Sequence, residues 1–175
     1  MAIWNIDPSH SEIGFKVKHL VISTVSGKFN SFEGKIESEK EDFTDAKISF
    51  TADINSIHTG NEQRDGHLKS PDFFDADNHA KLTFVSTGIK HKGGSDYKVS
   101  GDLTIRGVTK PIELNAEFGG TQTDFYGNTV AGWELTGKLN RQDYGLKWSA
   151  VTEAGGIVVS DEVKIVANVE VVKQK

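Results

Sequence analysis

Apolar and polar residues alternate with a period of two along most of the chain. Ile13, Phe15 and Val17 alternate with Glu12, Lys16 and Lys18, and Ile48, Phe50, Ala52 and Ile54 alternate with Ser49, Thr51 and Asp53. Val99, Gly101, Leu103 and Ile105 share one face of the next such run, and Ile112, Leu114, Ala116 and Phe118 share one face of the run after it. Strict alternation marks strands with one face in a core and one in water, which is the pattern of antiparallel sheets. Leu82 and Phe84 fit the same template, as do Ala131, Trp133, Leu135 and Leu139 and the closing run from Val163 to Val171. In the first third, Val25, Gly27 and Phe29 share one phase and Phe32, Gly34 and Ile36 the other. That slip near Asn30 and Ser31 predicts a bulge or bend of the sort barrels use at corners.

Turn residues stand between these runs. Lys92-Gly93-Gly94-Ser95-Asp96 and Arg106-Gly107-Val108-Thr109 each join two strands, and Gly119-Gly120 is expected to turn the chain again. From Ser56 to Lys69 the alternation stops. Thr59 to Glu62 has capping-box spacing there, and Ser70-Pro71 resembles a second helix start, so one or two short helices are expected as an insertion. The stretch from Asn140 to Gly156 is also irregular, carries Tyr144 and Trp148, and is long enough for a lid or mouth loop. About eight strands in close succession predict an all-β fold, a closed barrel or a sandwich, in a single domain.

Composition narrows the function. With no cysteine among 175 residues, disulfides, thiolate metal sites and cysteine nucleophiles are excluded. The net charge of -5, from 25 acidic and 20 basic residues interspersed, argues against nucleic acid as a partner. No stretch approaches the roughly 20 apolar residues of a membrane-spanning helix. The opening MAIWNIDPSHSE has no apolar signal core, so a cytoplasmic location is expected, or a periplasmic one if a leader has been removed.

The six histidines, at positions 10, 19, 58, 67, 79 and 91, form no HExxH, and no GxSxG elbow, phosphate-cradling loop or dinucleotide fingerprint is present. No catalytic residue, cofactor or metal is therefore expected. A metal-independent hydrolase assembled in space from Ser, His and Asp is the enzymatic alternative. Arg106, Lys110 and Arg141 lie beside turns and read as solvated hairpin charges; Asp143 and Tyr144 read as organisers of their loop.

Taken in order, several segments resemble the YceI family, lipocalin-like proteins described as binding polyisoprenoids. They include Asp7-Pro8-Ser9-His10-Ser11, Val25-Ser26-Gly27-Lys28-Phe29, Asn61-Glu62-Gln63-Arg64-Asp65-Gly66-His67-Leu68 and Ser70-Pro71-Asp72-Phe73-Phe74-Asp75. Gly101 to Lys110, Asn140-Arg141, Asp143-Tyr144-Gly145-Leu146 and Ser160-Asp161-Glu162-Val163 complete the set. The sequence departs from the family at Asp77-Asn78-His79-Ala80-Lys81, where a proline would precede the strand, and in lacking an export signal.

The resemblance implies an extended eight-stranded antiparallel lipocalin-like barrel with a helical insertion and a long hydrophobic pocket. The ligand it implies is a chain-like amphiphile: an isoprenoid, an isoprenoid quinone or a fatty-acid amide. The candidate wall comprises Phe15, Val17, His19, Phe29, Phe32, Leu82, Phe84, Leu103, Ile105, Leu114, Phe118, Trp133 and Leu135, with Gly101, Ala52, Ala116 and Ala131 as small residues that would leave room along the axis. On the other reading the same side chains fill the barrel solidly, and the protein is an interaction module for a second copy or another partner. His19 either meets a head group or is satisfied by backbone at its strand end. Arg64 and His67 are candidates for the polar end of the site; alternatively Arg64 pairs with a carboxylate and pins the insertion. The expected function is non-enzymatic binding of a long-chain lipid.

Overall fold

The computed structural model describes residues 2–20, 22–148 and 159–175. Its strands are β1 (Ala2–Ile6), β2 (Glu12–His19), β3 (Ser23–Phe29), β4 (Phe32–Ser38), β5 (Lys47–Asp53), β6 (Ile57–His58), β7 (Lys81–Gly93), β8 (Asp96–Ile105), β9 (Val108–Thr123), β10 (Thr129–Asn140) and β11 (Val159–Lys173), with one α-helix, α1 (Glu62–Lys69). All pairings are antiparallel, in the order β1-β4-β5-β7-β8-β9-β10-β11, and β11 returns to β1. The ring therefore closes with eight strands. Closure leaves no edge in this part of the sheet, satisfying its backbone groups internally.

The first two strands of the barrel are each broken once. Between β1 and β2 stands Pro8, which cannot donate to a ladder; Asp7 caps the 3-10 turn Pro8–His10 by accepting from the Ser9 N–H. Beyond that break β2 pairs β11 and β3, so β1 and β2 together act as one interrupted strand. The predicted phase slip falls where β3 gives way to β4, and the two halves pair different neighbours. The result is an elongated barrel whose β1–β4 end and β2–β3 end are offset.

Four local expectations need correction or refinement. Gly119-Gly120 does not turn the chain: β9 runs through it with a bulge opposite Gly132 and Trp133, and the hairpin turns at Asp124–Asn128. There the Asp124 carboxylate accepts from the N–H groups of Tyr126 and Asn128, and Gly127 supplies a φ of 82°. The helix is capped by Asn61, which accepts from the Arg64 N–H, rather than by Thr59, whose hydroxyl is engaged with Asp65 and Arg64. No helix begins at Pro71, because Ser70 closes α1 and the chain turns at once, with the Phe73 and Asp75 N–H groups returning to the Ser70 carbonyl. Of the irregular stretch, Asn140 caps a 3-10 turn over Arg141–Tyr144, while its part from residue 149 to 156 lies outside the described residues. The Arg106-Gly107 turn is as expected, with φ of 52° and 73° joining Ile105 to Val108 in a two-residue hairpin.

Candidate ligand cavity

The inward side chains do different things at the two ends of the barrel. At the β1–β4 end, Phe43 is 2% exposed and wedges between Trp4 (5.3 Å between ring centroids), Trp133 (5.4 Å) and Phe118 (5.6 Å). It comes from the β4–β5 loop, which Tyr97 Oη ties down by donating to the Asp42 carbonyl (2.9 Å). The Asp45 carboxylate gathers the same loop, accepting from the Ser38 hydroxyl (2.7 Å) and from the N–H groups of Glu39 and Lys40 (2.8 and 3.2 Å). These bonds hold its pKa at about 2. This end is a solid aromatic plug.

Below the plug lies a cavity of about 240 Å³ whose accessible wall is apolar. An apolar cavity of roughly 150 Å³ is already large enough to take up benzene. The wall runs along β11 from Val159 to Val171. That is about 40 Å of strand, or roughly 30 Å along the axis after allowing for barrel tilt. The space is long and narrow.

Nine candidate wall residues line it: Phe15, Val17, Phe29, Leu82, Phe84, Leu103, Ile105, Leu114 and Leu135. Phe118 and Trp133 do not, because they belong to the plug. Phe32 packs against Phe50 in a satellite cluster with Ala52 and Ile54. His19 ends β2 beside the turn, its carbonyl accepting from the Ser23 hydroxyl and the Ile22 N–H. The small residues do not create the space. The Phe84 ring covers Gly101, while Ala116 and Ala131 sit in the larger core cluster and Ala52 in the smaller one, all outside the cavity wall. Room remains instead between the aliphatic side chains of the middle rows.

At the β2–β3 end the cavity is bounded by Leu68 of α1, by Phe73 and Phe74 after it, and by Leu146. Two arginines hold these segments. Arg106 Nη1 donates to the carbonyls of Pro71 (2.6 Å) and Phe73 (2.8 Å). Arg141 is buried and lines the cavity; its guanidinium donates to the carbonyls of Leu146 (2.6 Å), Trp148 (2.7 Å), Ser160 (3.0 Å) and Val159 (3.3 Å), with Asp161 at 3.5 Å. Burial pulls its pKa below the usual arginine value, and Asp161 opposes that shift. Neither arginine is a solvated hairpin charge; of the three so read, only Lys110 is exposed. Arg141 could have been found in the sequence, because it continues the inward phase of Trp133, Leu135 and Leu139. Buried Tyr144, whose phenol burial pushes up, and Gly145 at a φ of 80° complete the turn.

Arg64 and His67 lie outside the cavity wall. Arg64 donates from Nε and Nη2 to the Thr59 hydroxyl and carbonyl (2.8 and 2.6 Å), and Asp65 accepts from the Thr59 N–H (2.9 Å). It pins the insertion through backbone and hydroxyl, not through a carboxylate. His67 Nε2 lies 2.9 Å from the Asp72 carboxylate, and its ring meets Phe73 (5.1 Å) and Trp148 (4.9 Å) edge-on. Among the described residues, one group, Asp7, His10 and Glu170, brings three potential metal-ligating atoms within 4.8 Å of one another. Its Asp7 carboxylate already caps the β1–β2 turn and faces His10 at 2.8 Å, which lowers the Asp7 pKa and raises that of His10.

The fold has counterparts among known proteins. A UPF0312 protein of Staphylococcus aureus is 39% identical over 171 residues, 97% of each chain. The crystal structure of a Campylobacter jejuni YceI protein superposes with a TM-score of 0.77 at 33% identity, over 97% of this chain and 96% of that one. A polyisoprenoid binding domain from Saccharophagus degradans, implicated in plant cell wall breakdown, shares the fold at 16% identity, with a TM-score of 0.66 and 98% of both chains covered. Residues 4–171 match the YceI-like domain, and the chain belongs to that family.

Proposed function

We propose that this protein binds and carries a long-chain apolar ligand, an isoprenoid, an isoprenoid quinone or a fatty-acid amide, without catalysing a reaction. The observation that carries the reading is the long apolar cavity between the aromatic plug and Arg141. Burying a polar group in such a wall without a partner costs several kcal/mol, so the part of the ligand inside is hydrocarbon. The fold shared with a polyisoprenoid binding domain supports the same class of ligand. His67, in ring contact with the cavity residue Phe73, is the polar side chain we place at the head-group end; Arg64 supports the helix that carries it.

The test begins with native mass spectrometry of the purified protein and organic extraction of whatever it retains. A series of acyl or prenyl amphiphiles with one head group then displaces a fluorescent lipid probe. Affinity should rise about fourfold per methylene, from about 0.8 kcal/mol each, and level off once the chain fills the cavity. An apo mass together with no binding across the series would refute the reading.

A further inference from the structure

We infer that the β2–β3 turn docks on an anionic membrane surface and sets the cavity end of the barrel against the lipid; this rests on the lipid-carrier reading. Ile22 is 85% exposed and Leu20 38%, both on this turn. Leu20 also sits at a φ of 53°, a left-handed conformation that costs a side chain with a Cβ about 1–2 kcal/mol. A solvent-facing turn would ordinarily place glycine or asparagine there. Val17, three residues earlier, lines the cavity, and His19 is paired with Val159, which lines it too. The exposed apolar residues therefore continue from the cavity wall.

Positive charge stands behind them. Lys138, Lys164 and Lys16 are directly opposite one another across β10, β11 and β2, and Lys18 lies two residues nearer the turn. Like charges placed opposite one another destabilise a sheet. The acidic neighbours are engaged elsewhere, Glu162 with Lys138 (3.8 Å) and Asp161 with Arg141 (3.5 Å). Among the described residues Lys16, Lys18 and Lys164 have no carboxylate within 4.0 Å, and Lys18 Nζ reaches only the Thr24 hydroxyl (3.0 Å). Four residues of strand place Lys16 about 13 Å from Leu20. A turn sunk about 5–10 Å into the head-group boundary brings the lysine row within a Debye length, about 8–10 Å, of anionic phosphates.

A second exposed apolar turn stands in mixed charge, with Lys173, whose Nζ lies 6.0 Å from the Trp4 ring centroid, and Lys175 just after Val172. Phe125 and Tyr126, 98% and 84% exposed, lie beside the opposite end of β11, where Val130 pairs Val172. Their turn carries Asp124, whose carboxylate is close enough to feel that of Asp7, and Asp7 stands beside Glu170.

The experiment is co-sedimentation of the full chain with vesicles of phosphatidylcholine alone or mixed with phosphatidylglycerol, at low and high salt. The wild type should sediment with the anionic vesicles and be released by salt. Lys16→Gln, Lys18→Gln and Lys164→Gln combined should weaken that binding about a hundredfold, at roughly fivefold per lysine. Leu20→Ser with Ile22→Ser should abolish it, and Phe125→Ser with Tyr126→Ser should leave it unchanged. The inference is overturned if the wild type ignores anionic vesicles, if the Phe125 and Tyr126 variant is the one that fails, or if the β2–β3 turn instead drives self-association in analytical ultracentrifugation. Ligand retention in native mass spectra is read on the same preparations. Lipid retained without vesicle binding removes the docking surface and keeps the carrier; loss of both removes the carrier reading as well.

Discussion

Replacing Phe43 with alanine should remove the plug at a cost that the structure sets within limits. The ring is 2% exposed and meets three aromatic partners at 5.3 to 5.6 Å. Truncating a core phenylalanine costs about 3–5 kcal/mol. With a urea m-value of about 2 kcal/mol/M, the unfolding midpoint should fall by roughly 2 M. Phe43 also has a φ of 62°. Alanine keeps the Cβ and with it a left-handed penalty of about 1–2 kcal/mol. Glycine escapes that penalty but adds about 0.5–1 kcal/mol of unfolded-state freedom. Phe43→Gly should therefore match Phe43→Ala in stability or exceed it by up to about 1.5 kcal/mol, an ordering opposite to that expected in a strand. Urea titration followed by tryptophan fluorescence measures both, since Trp4 and Trp133 are in contact with the ring. An alanine cost below about 1 kcal/mol would refute the seating of the ring. A glycine variant more than about 1 kcal/mol below alanine would refute the left-handed backbone.

Other perturbations separate the remaining elements. A Cβ on Gly101 would meet the Phe84 ring and stand 2.6 Å from the Val85 carbonyl oxygen, so Gly101→Ala should cost about 1–3 kcal/mol in the same titration. Gly66 has nothing within 4 Å in mid-helix, and Gly66→Ala should stabilise by about 0.5–1 kcal/mol. Arg141→Leu removes the donor to the carbonyls of Leu146, Trp148 and Ser160 and should destabilise by about 1–3 kcal/mol, with Arg141→Lys recovering only part because an ammonium cannot reproduce the planar fork. Asp45 titrates at about 2 in the folded protein against 3.8 for the free side chain. Its contribution to stability is thus complete above the unfolded value and lost as pH falls from there through about 2. Acid titration of wild type and Asp45→Asn, read by urea midpoint, should show a shallower acid limb in the variant; equal slopes would count against this loop as the origin.

Much of the barrel is legible residue by residue. The odd-numbered inward phase of Ala131, Trp133, Leu135 and Leu139 belongs to one strand, and Arg106-Gly107 makes the tight turn its chemistry demands. Gly119-Gly120 was misleading because a glycine pair serves a bulge as readily as a turn, and only the pairing of Gly132 with Gly120 and Trp133 with Phe118 distinguishes them. Strand β1 is not legible in the sequence because Ile3, 39% exposed, breaks the alternation of Ala2, Trp4 and Ile6 with polar neighbours.

The period of two by itself determined which face of each strand is buried, hence the fold class and most of the candidate wall. It carries no information about height along the barrel axis. Phe118 and Leu114 share a face of β9, yet one belongs to the plug and the other lines the cavity. That division depends on Phe43, a residue of a separate loop about seventy positions away in sequence, entering the same end of the barrel. A void is what remains after side chains from every strand have met, and the acceptors that hold Arg141 come from backbone on two segments. No local pattern encodes either one; closure of the ring decides both.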